Sequence, residues 1–276
     1  MAEFWLDLSS EDSLDNEWQG YIGDHNLAGI TIREPMDKDF DGVISLCDAF
    51  LPSYEERGAG IVCLSMPYRS STSASIVKKA REISDRISRP NLMIGIIADK
   101  HGMDAIERLC AEGISVNALE VYSPLRAQQI AESIVKNSHR GARGIVSVSV
   151  SPYDTHLNSR LKQHGLAQNR IGFFVASKIY NLVEDMGSEL VKVMFGRLDK
   201  PDLQTEDDYY IENLNLPNAY LSTSKPLYDL SQTKEYDESF HFQNRHIDAF
   251  FSFLTPAQIS LNETEELLFK KITESL

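Results

Sequence analysis

Eight short apolar runs punctuate the chain, and segments of helical periodicity lie between many of them. The runs fall at residues 3–9, 27–32, 60–66, 91–98, 114–121, 144–150, 190–196 and 218–224. Most, such as NLMIGIIA and GIVSVSV, are apolar with little interruption, as strands are when helices cover both faces of a parallel sheet. Between them, Ile76, Val77, Ala80, Ile83 and Ile87 recur at spacings of one, three and four. Met103, Ile106, Leu109 and Cys110 repeat that pattern, and Leu125, Ile130, Ala131, Ile134 and Val135 follow it more loosely. Such spacing places apolar side chains on one helix face, ready to cover a sheet.

Alternation of this kind predicts an α/β fold, specifically a (βα)8 TIM barrel, whose usual length of about 250 residues suits a chain of 276. An open doubly wound sheet is the alternative. Neither an internal repeat nor a low-complexity linker divides residues 1–276, so one barrel domain is expected, closed by a helix around 255–276 with Asn262 or Thr264 as its cap. The acidic stretch at 198–210 is expected to form a long loop, and the polar segment 231–250 to lie on the surface.

Composition narrows the chemistry. A hydrophobic content of 42% suffices for a full core, and no run approaches the eighteen or so apolar residues of a membrane span. The first residues, MAEFWLDLSSEDS, are acidic where a signal peptide would be basic, so a cytoplasmic location is expected. Cys47, Cys63 and Cys110 lack a CxxC spacing, and neither a disulfide framework nor a zinc site is expected. A net charge of −14 argues against general nucleic-acid binding, although a local basic site for a phosphorylated small molecule stays open.

Barrel sites form at the C-terminal ends of strands and in the loops that follow. That rule selects Asp7, Arg33, Glu34, Ser65, Tyr68, Asp99 to His101, Asn117, Glu120, Ser151, Tyr153, Arg197 and Ser222. Asp7, Asp99, His101 and Glu120, if all projected into the mouth, would make a carboxylate–histidine set for proton transfer or a hard cation. Their spacing matches no local metal motif, and neither metal nor cofactor is expected.

The segments FWLDLSS, LAGITIREP, NLMIGIIAD, AEGISVNALEVYS, SVSVSPYD, VMFGRLDKP and DDYYIENLNLPNAYLST follow one another along the chain. In that order they are similar to segments of the transaldolase family of Schiff-base sugar-phosphate enzymes, which the chain resembles. The resemblance implies a barrel of carbohydrate metabolism, in the pentose phosphate pathway, that takes a phosphorylated sugar. By matching position, Asp7 is implied to handle protons, Asn117 to bond substrate hydroxyls, and Ser151 and Arg197 to meet the phosphate. His156 stands nearest to a second phosphate-binding arginine, and Tyr153 is a candidate cap over the ligand.

Three matching positions depart from the family. Gly95 stands where the family has its imine-forming lysine, Leu64 where it has a proton-relaying glutamate, and Leu119 where it has a threonine that holds the relay water. Glycine offers neither the nucleophile nor the electron sink of the imine reaction. Lys100, five residues on, is the nearest amine to substitute, while Lys192 is expected low in the barrel in an ion pair and Lys178 has no strand-end position. Three readings follow: a sugar-phosphate binder of altered chemistry, a non-catalytic binding or regulatory homologue acting through a homo-oligomer, and an active transaldolase using a displaced lysine such as Lys100.

Overall fold

A computed structural model describes residues 1–8, 17–33, 40–66, 72–254 and 259–275. Each apolar run forms a strand: β1 Glu3–Leu8, β2 Leu27–Arg33, β3 Ile61–Ser65, β4 Leu92–Ile97, β5 Val116–Val121, β6 Gly144–Ser149, β7 Val191–Gly196 and β8 Ala219–Ser224. They pair in parallel in chain order, and β8 pairs with β1, which closes a barrel. The helices are α1 Phe40–Arg57, α2 Ser73–Ile87, α3 Lys100–Glu112, α4 Pro124–Asn137, α5 Ser151–Gln163, α6 Ile171–Glu184, α7 Tyr209–Leu214, α8 Lys225–Ser231, α9 Asn244–Ser252 and α10 Leu261–Ser275. The expected (βα)8 fold is the observed one.

The strand period of two sorts side chains between two cores. Leu6, Ile30, Val62, Leu64, Ile94, Val146 and Val193 belong to the large shell shared with the helices. Trp5, Cys63, Met93, Ile145, Met194 and Tyr220 belong to a second cluster that fills the barrel interior, with the Trp5 and Tyr220 rings 5.3 Å apart. Two residues further along the same strands stand Asp7, Ser65, Gly95, Ser147, Gly196 and Ser222. The lower interior is thus an apolar plug and the next layer up is polar, and polarity changes within one pleat repeat.

Local signals set the helix starts. Thr72 and Ser123 accept from the backbone N–H three residues on at 3.3 and 3.2 Å and cap α2 and α4. Asp99 accepts from Gly102 N–H at 2.6 Å and caps α3. Gly102 permits that tight turn, because a Cβ there would lie 1.9 Å from the Ile97 carbonyl oxygen. Asp99→Ala is expected to lower stability by about 1 kcal/mol, read from urea denaturation, since a cap side chain is worth roughly that much. The closing helix is capped neither by Asn262 nor by Thr264. Ser260 Oγ accepts from Glu263 N–H at 3.2 Å, and Thr264 lies inside the helix, its hydroxyl donating to the Ser260 carbonyl at 2.8 Å.

The loop expected at 198–210 is one of turns that ends as α7 begins. Segment 231–250 is less superficial than its polarity implies. Phe242 and Phe250 pack on Phe174 of α6 at ring distances of 5.3 and 4.4 Å, and Ile247 is fully buried. The reason lies in α6, eleven of whose fourteen residues are buried, so this helix needs a cover on the side away from the barrel.

Candidate active site

At the C-terminal end of the barrel lies a small cleft lined by Asp7, Thr31, Ser65, Asn117, Leu119, Glu120, Ser147, Val148, Ser149, Met194, Gly196, Arg197 and Ser222. Its floor is a hydrogen-bonded row. Asn117 is fully buried, and its Oδ1 accepts from Ser147 Oγ at 2.6 Å while its Nδ2 faces Cys63 Sγ at 3.7 Å. Beside it, Trp5 Nε1 donates to Thr31 Oγ1 at 2.8 Å. Asn117, Ser147 and Thr31, buried one pleat above the apolar plug, thus each have a local anchor, as burial requires.

Above that floor, Glu120 and Arg197 form an ion pair over the end of β6. Arg197 donates from Nη2 at 2.8 Å and from Nε at 3.1 Å to Glu120 Oε1. Ser149 Oγ and Tyr122 Oη donate to Oε2 at 2.7 and 2.9 Å. Backbone geometry makes the pair: both residues adopt left-handed conformations, φ 58° for Glu120 and 51° for Arg197, at the ends of β5 and β7. Pairing of β5 with β6 is interrupted between Ala118 and Val121, so Glu120 leaves the regular pleat and turns toward Arg197. Such backbone costs of order 1–3 kcal/mol for each non-glycine residue and persists only where the surroundings enforce it.

Burial alone would raise the Glu120 carboxyl, which is only 7% exposed, but the Arg197 charge and hydrogen bonds, with Ser149 and Tyr122, outweigh that and hold it below the usual carboxylate range. Arg197 keeps 34% of its side chain exposed and is the guanidinium of the cleft lining. It pairs with Glu120 at 2.8 Å.

Several sequence candidates sit elsewhere. Leu64 faces the helices, and the β3 residue that faces the cleft is Ser65, so the inward position lies one residue further along than the resemblance implied. Tyr153 is no cap over a ligand, because it is 1% exposed and its hydroxyl donates to the Tyr122 carbonyl at 2.7 Å. His156 points toward α10, with Nδ1 3.4 Å from Lys271 Nζ, and is absent from the cleft lining. Ser151 begins α5, and its backbone N–H donates to the Arg197 carbonyl at 3.1 Å, so it ties the two strand ends together without lining the cleft.

Asp99 is spent on its helix cap, and Lys100 and His101 are exposed and do not line the cleft. Of the carboxylate–histidine set only Asp7 and Glu120 meet there, and among the described residues no group of three or more His, Cys, Asp or Glu is placed to hold a metal ion. Lys192 pairs with Glu3 at 3.5 Å near the opposite pole, and Lys178 pairs with Asp248 on the outer surface. The positions of Glu34 and Tyr68, and the side chain of Arg33, lie outside the described residues. Ser147 and Ser149 were missed in the sequence, although the alternation in GIVSVSV places both on one face of β6.

Gly95 faces the interior between Cys63, Ser65 and Leu119. A Cβ there would lie 3.0 Å from Ser65 Cα, 3.1 Å from Leu119 Cδ1 and 3.3 Å from Cys63 Sγ. Its neighbours leave little room for a side chain there, and the lining of the cleft includes no lysine among the described residues.

A closed parallel barrel with its polar layer at the C-terminal strand ends defines the class of (βα)8 proteins whose sites occupy that mouth. Within the class, the family model for transaldolase/fructose-6-phosphate aldolase matches residues 61–266, and the chain belongs to that family. It is similar to the transaldolase of Helicobacter pylori (strain HPAG1), with 26% identity over 98% of this chain and 95% of the relative. A transaldolase of Campylobacter jejuni (strain 81-176) is 22% identical over 78% of each chain. No helix among the described residues is long and apolar enough to cross a membrane.

Proposed function

We propose that this transaldolase-family protein is a cytoplasmic carbohydrate-binding barrel that takes a phosphorylated sugar in its mouth without forming a lysine imine, so that any reaction it runs is not the Schiff-base one. The observation that carries this reading is the cleft lining itself: hydroxyls of Thr31, Ser65, Ser147, Ser149 and Ser222, the Asn117 amide and the Asp7 carboxylate surround one guanidinium, with no lysine among the described residues. Hydroxyls and amides suit a polyol, and a guanidinium suits an oxyanion. An imine needs an amine within reach of the bound carbonyl. Lys100, exposed at the first turn of α3, has no such position.

Thermal shift with fructose 6-phosphate, ribose 5-phosphate and inorganic phosphate tests the binding half, because a ligand of the native state raises stability as ln(1 + [L]/Kd). A rise in Tm for the sugar phosphates is expected, and no shift with any of them at millimolar concentration would defeat the reading. Borohydride treatment with dihydroxyacetone tests the other half. No mass gain is expected, and a reduced adduct on any lysine would instead identify a working imine enzyme.

The crowding at Gly95 sharpens the reconstruction of an amine. Gly95→Lys alone is expected to lower stability by about 1–3 kcal/mol, the usual cost of overpacking, because Ser65 Cα is backbone and cannot yield. Adding Leu119→Thr removes the flexible part of the clash and should restore part of that loss in urea denaturation. If the double variant were no more stable than the single one, the packing account of Gly95 would be wrong.

A further inference from the structure

In a barrel mouth whose guanidinium is meant for a ligand, the guanidinium is already gripped by the protein's own carboxylate. Glu120 Oε1 accepts from two nitrogens of Arg197 at 2.8 and 3.1 Å, the two-point geometry that a phosphate ester would otherwise use. Glu120 is not a loose surface acid that happens to be near. It is 7% exposed, is held on its other oxygen by Ser149 and Tyr122 at 2.7 and 2.9 Å, and sits on a left-handed backbone that diverts it out of the strand. Tyr122 is fixed in turn, its carbonyl accepting from Tyr153 Oη at 2.7 Å. The carboxylate is therefore built into place from three strand ends, β5, β6 and β7.

The charge of the cleft gives this arrangement its consequence. Glu120 places a negative charge directly against Arg197, the guanidinium of the described lining. A second anion entering beside Glu120 meets a like charge at hydrogen-bonding range, a juxtaposition that costs several kcal/mol unless one anion gives way. The hydroxyl and amide face made by Asn117, Thr31, Ser65 and Ser147 is untouched by that competition.

We infer that Glu120 is the specificity-determining residue of the mouth: it acts as a built-in counter-anion on Arg197, so a phosphate-bearing ligand binds in competition with it, whereas the polyol part of a ligand does not. This inference rests on the sugar-phosphate reading of the mouth. Glu120 acts by where its charge sits, and no bond is made or broken on it.

Isothermal titration of the wild type and Glu120→Gln with inorganic phosphate, fructose 6-phosphate and fructose separates the two ideas. Loss of the charge is expected to tighten phosphate and fructose 6-phosphate by at least about ten-fold, a modest part of the like-charge penalty, and to leave fructose unchanged. If the wild type binds fructose 6-phosphate and Glu120→Gln binds it no tighter, the inference fails and the sugar-phosphate reading stands. If only Glu120→Gln binds, the inference stands and the reading of the wild type fails. If neither binds, both fail. An equal gain for fructose would also overturn the inference, because the effect would then come from a loosened cleft and not from charge. Should Glu120→Gln not fold, Glu120→Ala, which removes the same charge, carries the same expectation.

Discussion

Replacing Asp154 with alanine should lower stability by about 3–5 kcal/mol, among the larger losses available to a single side chain in this fold. Asp154 lies on α5, is fully buried, and accepts from the Ile171 N–H at 2.8 Å, the Gly172 N–H at 3.2 Å and the Tyr210 hydroxyl at 2.7 Å. It thereby seats the start of α6 and anchors α7. A Cβ at Gly172 would come 2.3 Å from the Val150 carbonyl oxygen, so only glycine fits at that contact. Alanine strands three buried donors together, each of which costs roughly 1–3 kcal/mol when unpaired. Urea denaturation of Asp154→Ala beside Asp154→Asn, which keeps one oxygen acceptor, should give the larger loss for alanine.

The same residue leaves a mark on pH dependence. Burial pushes the Asp154 carboxyl up to about 6, against the hydrogen bonds from Tyr210, Gly172, Ile171 and Arg170 that lower it. Because the folded value lies above the unfolded value of 3.8, the folded state binds the proton more tightly. The stability this contributes is fully present below the unfolded value and is lost as pH rises through about 6. Wild-type stability should therefore gain a component between pH 7 and 5 that Asp154→Asn lacks. Identical pH slopes for the two proteins would contradict this.

Arg197→Met is expected to cost about 2–3 kcal/mol at pH 8, short of the roughly 3–5 found when one partner of a fully buried pair is removed, because Arg197 is one-third exposed and partly screened. The loss should shrink toward pH 5, and the sign follows from Glu120. In the wild type Arg197, Ser149 and Tyr122 depress its carboxyl against the opposing effect of burial, so its stabilisation is present above the unfolded value of 4.5 and fades as pH falls through the folded one. Without Arg197, burial raises the carboxyl, and the cost of holding it ionised falls away as acid neutralises it. A loss in Arg197→Met that is equal at pH 8 and pH 5 would show that the pair contributes packing rather than charge.

Why the fold could be anticipated while much of the site could not comes down to the range of the causes. Strand runs such as NLMIGIIA carry their burial in their own composition, and the barrel follows from their number and alternation with helices. Facing is more fragile, since a shift of one residue turns a strand side chain from one surface to the other. That is how Leu64 was expected where Ser65 stands. The Glu120–Arg197 pair joins residues 77 apart through two left-handed conformations, and nothing in VNALEVYS or MFGRLDK announces either one. Tyr153 was placed by its distance from a strand end and His156 by its position in the resemblance, but helix phase turned one into the core and the other toward α10. The polar look of 231–250 concealed a cover for α6, because the need for it resides in α6 and not in the segment itself.

That cover has a consequence in time. The apolar helix α6 is complete once residue 184 has been made, and the barrel cannot close until β8 at residue 224, yet Phe242, Ile247 and Phe250 emerge only later still. A nascent chain therefore displays an aromatic face, Phe173 and Phe174 among it, for the whole interval in which some sixty further residues are synthesised, several seconds at about 5–20 residues per second. During that interval the exposed face of α6 is the surface on which newly made chains would stick to one another, and the surface a chaperone would hold.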